Sequence, residues 1–96
     1  MSYSLTLVAQ ADIEEIVTAL WLENPETAEL VEDRLYAAFD LLAGNPGLGH
    51  ERADLTDRPV LFWPVRQTSY AAIYRPASPI QVIRVVHWHR DIASLL

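Results

Sequence analysis

Residues 11–46, ADIEEIVTALWLENPETAELVEDRLYAAFDLLAGNP, decide the fold, because they predict two amphipathic helices that meet at Asn24-Pro25. Asp12 is predicted to open the first helix, with Glu15 three positions on in a capping-box arrangement. The apolar residues of this helix recur at helical spacing and form one face: Ile13, Ile16, Val17 and Leu20. Because Pro25 disfavours helical geometry at Asn24, we expect the helix to stop near Glu23.

The second helix is predicted to begin at Asn24, a suitable N-cap, with Pro25 at its first position. Gly44 and Pro46 end it. Its buried stripe consists of Ala28, Val31, Leu35, Ala38, Phe39 and Leu42. So short a connection predicts a hairpin of antiparallel helices. The outer face of this helix is acidic, and it is either a solvated face or a docking surface for a basic partner. Its acidic residues are Glu26, Glu29, Glu32, Asp33 and Asp40.

Strand signals flank the two helices. Residues 4–8 predict a short strand, and three further strands are predicted over residues 60–65, 69–74 and 80–88. Pro64 cannot donate to a ladder, so its strand lies at an edge or carries a bulge there. Residues 44–57 predict a long irregular connection, and residues 91–96 a short C-terminal helix. The order β-α-α-β-β-β predicts an α+β fold, with the helical hairpin packed on a largely antiparallel sheet that ends in a three-stranded meander.

Length and composition place the chain among ordinary globular proteins. It has 96 residues, 51% of them hydrophobic and 21% charged, so residues 1–96 are expected to form one domain. No apolar run approaches the roughly 18–20 residues that a membrane span needs, and the N-terminus does not resemble a signal peptide. The chain has no cysteine, which excludes disulfides and thiolate metal sites. We therefore expect a cytoplasmic protein without membrane contact.

Charge is distributed unevenly along the chain. The net charge of −6 argues against direct nucleic-acid binding. Residues 1–57 carry twelve acidic residues and two arginines, a balance of −10. Residues 58–96 carry five arginines and one acidic residue, a balance of +4, and the chain has no lysine. The last part of the chain therefore presents only guanidinium groups as fixed positive charges.

Arg84 is the most unusual residue of the last predicted strand, because its neighbours in sequence are apolar. Strand alternation places it on one face with Val82, Val86 and Trp88, and places Ile83, Val85 and His87 on the other. A buried, unpaired guanidinium is very unfavourable, so its head must reach solvent, an acid or a ligand. Two interpretations stay open: Arg84 pairs with an acid of a neighbouring element, or it binds an anion or a partner on an open sheet face.

The segment from His87 to Asp91, HWHRD, is the densest cluster of functional side chains. His87 and His89 point the same way on a strand, but a metal site needs a third ligand, and none stands at a recognisable spacing. Histidine beside arginine also suits acid–base chemistry in phosphodiester cleavage. The simplest interpretation is a strand end with a packed tryptophan. No paired-carboxylate, phosphate-cradling or serine-triad motif is present, and neither a metal nor a cofactor is expected.

Apolar side chains at two places have no evident place in the predicted core. Trp21 and Leu22 lie at or beyond the margin of the first helix's apolar face, and Ile92, Leu95 and Leu96 end the chain. One interpretation is that these residues are exposed and form a surface for a partner. The other is that they complete a small core. Both interpretations stay open.

Several local motifs occur in a recognisable order. They are Ala11-Asp12-Ile13-x-x-Ile16, Asn24-Pro25, Leu42-x-x-Asn45-Pro46-x-x-Gly49, the hairpin from Pro64-Val65-Arg66 to Tyr70-x-x-Ile73-Tyr74-Arg75, and Ile83-Arg84-Val85-Val86-His87-x-x-Arg90-Asp91. Together they cover about residues 3–93. In this order the chain resembles the RelE/ParE superfamily of bacterial toxins, most closely its ParE-like members, also called plasmid-stabilisation proteins.

The resemblance implies a toxin of a type II toxin–antitoxin system. Its partner would be a small antitoxin whose disordered tail folds as it wraps the toxin. Operator DNA would be contacted only through that antitoxin. ParE-like toxins interfere with DNA gyrase and are not known as enzymes, so the chain is expected to be a non-enzymatic gyrase inhibitor. We expect the partner-binding residues to be Trp21, Leu22, Arg75, Arg84, His87, Arg90, Ile92 and Leu95.

Two other functions remain open within this resemblance. RelE-like toxins cleave mRNA on the ribosome, and in that case the metal-independent catalytic residues would be Arg66, Arg84, His87 and His89. The chain lacks the lysines that many such nucleases use and has no tyrosine after Tyr74. The acidic net charge leaves a third alternative, an inactive interaction module with the toxin fold.

Overall fold

A computed structural model describes residues 2–88 and 92–95 of the chain. The elements in chain order are β1 (Tyr3–Leu5), α1 (Leu7–Glu23), α2 (Pro25–Gly44), β2 (Leu61–Pro64), β3 (Tyr70–Arg75), β4 (Ile80–His87) and a C-terminal 3-10 helix (Ala93–Leu95). The predicted α+β class and element order are confirmed. The expected C-terminal helix is a single 3-10 turn.

The N-cap of the first helix lies six residues earlier than predicted. Thr6, not Asp12, caps α1: its Oγ1 accepts the N–H of Ala9 at 3.0 Å and donates to the carbonyl oxygen of Ile83 at 3.0 Å. The predicted strand over residues 4–8 therefore ends at Leu5. Thr6 satisfies a helix donor and a strand acceptor together, whereas the carboxylate of Asp12 is used elsewhere.

The second helix agrees with its prediction at both ends. Asn24 Oδ1 accepts the N–H of Glu26 at 3.0 Å and that of Thr27 at 3.4 Å, and Pro25 occupies the first helical position. Asn45 is the C-cap. Every member of the predicted stripe is buried: Ala28, Val31, Leu35, Ala38, Phe39 and Leu42. Asn24 also ends α1, so one residue joins the two helices of the hairpin.

The four strands form one mixed sheet in the order β1-β4-β3-β2. β2, β3 and β4 pair antiparallel, as predicted for the meander, while β1 runs parallel to β4. β2 lies at an edge, as Pro64 predicts. On its outer side the N–H and carbonyl of Phe62 exchange hydrogen bonds of 2.8 Å with His50. This bridge and Pro64 together block most of the edge against a further strand.

Hydrophobic clusters lie on both faces of the sheet. On the helix side, α1 and α2 pack over residues such as Tyr74, Val82 and Val85. On the second face, Ile73 and Val86 pack with Ile92 and the partly buried Leu55 and Trp88. β3 contributes to both clusters, so it is covered on both sides as predicted.

A register shift in β4 changes which of its side chains share a face. Ile73 pairs with Arg84, whereas the adjacent Tyr74 pairs with Val82, so β4 has one more residue than β3 there. Val82 consequently shares the helix side with Val85, and Ile83 shares the second face with Val86. The prediction that strict alternation groups Arg84 with Val82 and Val86 was wrong, because it did not include this β-bulge.

The predicted irregular connection between α2 and β2 is anchored by Tyr74. Its hydroxyl donates to the carbonyl oxygen of Pro46 at 2.7 Å and accepts the N–H of Gly49 at 2.9 Å. A Cβ on residue 49 would lie 2.7 Å from that hydroxyl oxygen and 2.9 Å from the Cβ of Leu61. The Asn45-Pro46-x-x-Gly49 motif therefore holds the loop against β3, and only glycine fits at its last position.

Within the described residues, neither α1 nor α2 is long and apolar enough to cross a membrane.

Candidate functional site

Arg84 lies at the β4 bulge, and its guanidinium is bound by α1. Nε donates to Asp12 Oδ2 at 2.8 Å, Nη2 donates to Oδ1 at 3.1 Å, and Nη1 donates to the carbonyl oxygen of Leu95 at 3.0 Å. Asp12 Oδ2 also accepts the backbone N–H of Val85 at 3.0 Å. Of the two interpretations of Arg84, pairing with an acid of a neighbouring element is the one that the structure shows.

Partial burial makes this pairing stronger than an ordinary surface ion pair. The side chains of Arg84 and Asp12 are 24% and 13% exposed. The hydrogen bond that Arg84 donates to Asp12 raises the pKa of the guanidinium above its usual value, while burial acts in the opposite direction. Because three of the five guanidinium N–H donors are used within the chain, an anion at this position would compete with Asp12. The assignment of Arg84 to a partner surface stays a prediction.

A polar hollow of about 310 Å³ separates α1 from the end of β4. Arg84 and His87 both line it, together with Glu15 and Tyr70. The His87 and Tyr70 rings meet edge to face at 5.5 Å, so the imidazole is packed against the sheet's own tyrosine. Two of the residues predicted for ribonuclease chemistry therefore lie together.

The remaining predicted ribonuclease residues do not share the hollow between α1 and β4. Arg66 lies on the turn between β2 and β3 and lines a different groove. His89 falls outside the described residues. Among the residues that the structure describes, no three histidine or acidic side chains are grouped to hold a metal ion.

A second hollow, of about 320 Å³, opens on the sheet face away from the helices. Arg75, Arg84 and Leu95, all predicted to bind a partner, line it together, and Arg58 lines it from the connection before β2. Both Arg58 and Arg75 are exposed. No sequence pattern singles out Arg58, because its position beside this hollow depends on how residues 45–60 fold back on the sheet.

A groove of about 260 Å³ runs between α2 and the edge strand β2. Its apolar lining includes Leu41, Trp63 and Val65, and the arginines Arg34 and Arg66 flank it. Arg34 Nη1 donates to Gln67 Oε1, while the buried Arg34 Nε has no hydrogen-bond partner in the described structure. A buried donor without an acceptor is unfavourable, so this groove can receive an acceptor group along with apolar side chains.

The apolar residues singled out as partner contacts divide between surface and core. Trp21 and Leu22, on the last turn of α1, are 51% and 82% exposed. Leu95 is 39% exposed, whereas Ile92 is only 5% exposed and completes the cluster on the second face. Arg90 and Leu96 lie outside the described residues. The proposed partner residues thus occupy at least two separate surfaces, one at the hairpin end and one around Leu95.

Comparison with known proteins agrees with this architecture. A family model described as the ParE toxin of type II toxin–antitoxin system, parDE, matches residues 3–92. A solved structure titled "Chromosomal ParDE TA system from P. aeruginosa" is similar with a TM-score of 0.72 and 23% sequence identity, over 91% of this chain and 95% of that chain. At this identity the structural likeness shows a shared fold. No curated protein matches the sequence.

Proposed function

Since the chain belongs to the ParE toxin family of type II toxin–antitoxin systems, we propose that it inhibits DNA gyrase in the cytoplasm and is neutralised by a cognate antitoxin. The observation that carries this proposal is the match of the family model over residues 3–92, nearly the whole chain. The motifs from Ala11 to Asp91 that resemble ParE-like members lie within that span.

The groove between α2 and β2 supports the antitoxin part of the proposal. Its lining combines the exposed Leu41 and the partly buried Trp63 with two flanking arginines, Arg34 and Arg66. An amphipathic tail that is disordered when free would bury apolar side chains here and place acidic ones against the arginines. Because the His50 bridge and Pro64 block the β2 edge, we expect the tail to dock through side chains and not by adding a strand.

The end of the helical hairpin is the second proposed antitoxin contact. Trp21 and Leu22 expose large apolar side chains on the last turn of α1, next to the Asn24 junction. Tryptophan is among the residues that contribute most to protein interfaces. We therefore propose that the tail also covers this turn.

The engagement of Arg84 favours gyrase inhibition over mRNA cleavage. A ribonuclease of this family would use Arg84 to stabilise charge on a phosphate, whereas here Nε and Nη2 donate to Asp12. Arg66 lies on the separate groove between α2 and β2. These contacts support a non-enzymatic toxin.

The target is tested by adding purified protein to a gyrase supercoiling reaction and to an assay of gyrase–DNA cleavage complexes. We expect less supercoiling and more cleavage complex, and we expect the antitoxin to reverse both effects. Unchanged gyrase together with cleaved ribosome-bound mRNA would replace this proposal with the nuclease. Harmless overexpression without antitoxin would indicate an inactive interaction module.

The antitoxin surface is tested separately by titration calorimetry with the cognate antitoxin. Trp21→Ala and Leu41→Ser should each weaken binding about tenfold or more, as expected for apolar contacts near an interface centre. Leu7→Ala is the matched control, because Leu7 is 82% exposed at the opposite end of α1. Unchanged affinity of either variant, with the fold intact by circular dichroism, would remove that residue from the interface.

A further inference from the structure

The hollow on the sheet face away from the helices combines side chains from five parts of the fold. Arg75 ends β3, and Gln81 lies opposite it on β4. Arg58 approaches from the connection before β2, Val8 from the first turn of α1, and Leu95 from the C-terminal 3-10 helix. The connection before β2 and Ile92 cover other parts of this face, and the hollow is one part that the described residues leave open.

The electrostatic character of this hollow is opposite to that of the whole chain. Three of the described residues that line it are arginines and none is acidic, in a chain of net charge −6. Arg84 is bound by Asp12, but the exposed side chains of Arg58 and Arg75 have no hydrogen-bond or ion-pair partner in the part of the chain that the structure describes. Arg52, by contrast, is paired with Asp54 at 2.8 Å. Two guanidinium groups are therefore available to an anion at one place.

Apolar side chains beside the arginines indicate what kind of anion would fit. Val8 is 51% exposed and Leu95 is 39% exposed, and both line the hollow. Nucleic acids instead require rows of cations for successive phosphates and aromatic surfaces for bases, and a chain of net charge −6 repels them. Arginine is enriched at protein interfaces, exposed apolar residues mark partner surfaces, and guanidinium groups pair well with carboxylates, so an acidic segment of a protein fits this hollow.

We propose that Arg58, Arg75 and Gln81 bind a carboxylate side chain of a second polypeptide, with Val8 and Leu95 contacting the aliphatic residues beside it. Both guanidinium groups can donate charge-assisted hydrogen bonds to the carboxylate, and the Gln81 amide adds a neutral donor. This surface lies on the opposite side of the sheet from the groove between α2 and β2. A polypeptide bound here leaves that groove free, so the protein can hold two partners at once.

The proposal is tested by titrating the full-length chain with a capped peptide of alternating leucine and glutamate and following backbone amide NMR signals. We expect saturable shifts at Gln81 and Ile83. Replacing every glutamate of the peptide by glutamine should weaken binding about tenfold or more, because charge-assisted hydrogen bonds are lost. Arg58→Gln and Arg75→Gln should each have an effect of similar size.

Arg52→Gln is the matched control, because it removes the same charge from an arginine already paired with Asp54. Its affinity for the peptide should equal that of the unaltered chain. Equal binding of the glutamine peptide, or equal losses in all three arginine variants, would overturn the proposal. So would tighter binding of a short single-stranded DNA at Gln81 and Ile83, which would make this a nucleic-acid surface. The antitoxin assays with Trp21→Ala and Leu41→Ser probe other surfaces, so their failure and the failure of this proposal can be told apart.

Discussion

The contact between Asp12 and Arg84 shows how one acidic residue can serve two elements. Asp12 binds the guanidinium of Arg84 and also accepts the N–H of Val85, so it joins α1 to the bulge of β4. The bulge matters because the extra residue of β4 lets Arg84 reach α1 while Val82 and Val85 still enter the core. A charge that would be unfavourable in an apolar strand is thereby compensated within the chain.

Replacing Asp12 should therefore destabilise the fold through Arg84. We expect Asp12→Asn to lower the free energy of unfolding by about 1–3 kcal/mol, since a charge-assisted pair is lost and Arg84 stays partly buried. Urea unfolding of the variant measures this change. The control is Asp54→Asn at the exposed Arg52 pair, which should leave stability unchanged within error.

A double variant distinguishes a specific pair from a general effect. Asp12→Leu with Arg84→Leu removes both charges, so the double variant should lose less free energy of unfolding than the sum of the losses in the two single variants. If the two single losses simply add, the side chains contribute independently and do not act as a pair.

Among the elements, the connection from α2 to β2 depends on a strand residue for its shape. Tyr74 is fully buried in β3, yet its hydroxyl binds Pro46 and Gly49 in the loop. Burial raises the pKa of this hydroxyl above its ordinary value of 10.0, and the hydrogen bond from Gly49 lowers it by less. The folded protein therefore favours the neutral hydroxyl, which is the form that can donate to Pro46.

The contribution of this hydroxyl should vanish in alkali. Near neutral pH, Tyr74→Phe should lower the free energy of unfolding by about 1–2 kcal/mol, because two loop groups lose their partner. The folded pKa lies above the unfolded value of 10.0, so the wild type's advantage should shrink as the pH rises above that value. Urea unfolding of the wild type and of Tyr74→Phe, near neutral pH and again above pH 10.0, measures how the difference in free energy of unfolding changes.

Tyr36→Phe is the matched control near neutral pH, because the Tyr36 ring packs on Phe39 while its hydroxyl has no hydrogen-bond partner among the described residues. Its free energy of unfolding should stay within about 0.5 kcal/mol of the wild type's, since no hydrogen bond is lost. An advantage of Tyr74 that stays constant or grows above pH 10.0 would contradict the proposed anchor.

For the molecule as a whole, opposite charges are concentrated on different surfaces. The outer face of α2 carries exposed acids, including Glu26, Glu29 and Asp33, while the second face of the sheet presents Arg58 and Arg75. Glu29 and Asp33 are four residues apart on one helix, a spacing at which like charges repel. Exposure of these acids fits both a solvated face and a docking surface for a basic partner, so both interpretations stay predictions, and the repulsion lowers stability in either case.

Neutralising the acidic face should stabilise the protein, and only at low ionic strength. Glu29→Gln with Asp33→Asn should raise the free energy of unfolding by about 0.2–0.5 kcal/mol, because one repulsive pair is removed. In about 1 M salt the gain should disappear, since the screening length falls to about 3 Å. Thermal unfolding at low and at high salt checks both the gain in stability and its disappearance. A loss of stability would mean that these acids make attractive contacts within the fold.

The sequence by itself determined the features that depend on near neighbours. The Asn24 cap with Pro25, the buried stripe of α2, the edge position of the Pro64 strand and the β-α-α-β-β-β order all follow from local backbone preferences and periodicity. These rules act over a few residues, so they can be applied without knowing how the elements pack. The resemblance to ParE-like toxins rests on the same local motifs in order.

Only the tertiary structure decided which polar groups meet. Asp12 fits a capping position by local rules, yet Arg84, seventy-two residues away, recruits it, and Thr6 caps α1 instead. The bulge, the burial of Ile92 and the availability of Arg58 likewise depend on how the sheet, loop and C-terminal turn pack. Such contacts join distant parts of the chain, and no short-range pattern specifies which acid reaches which base.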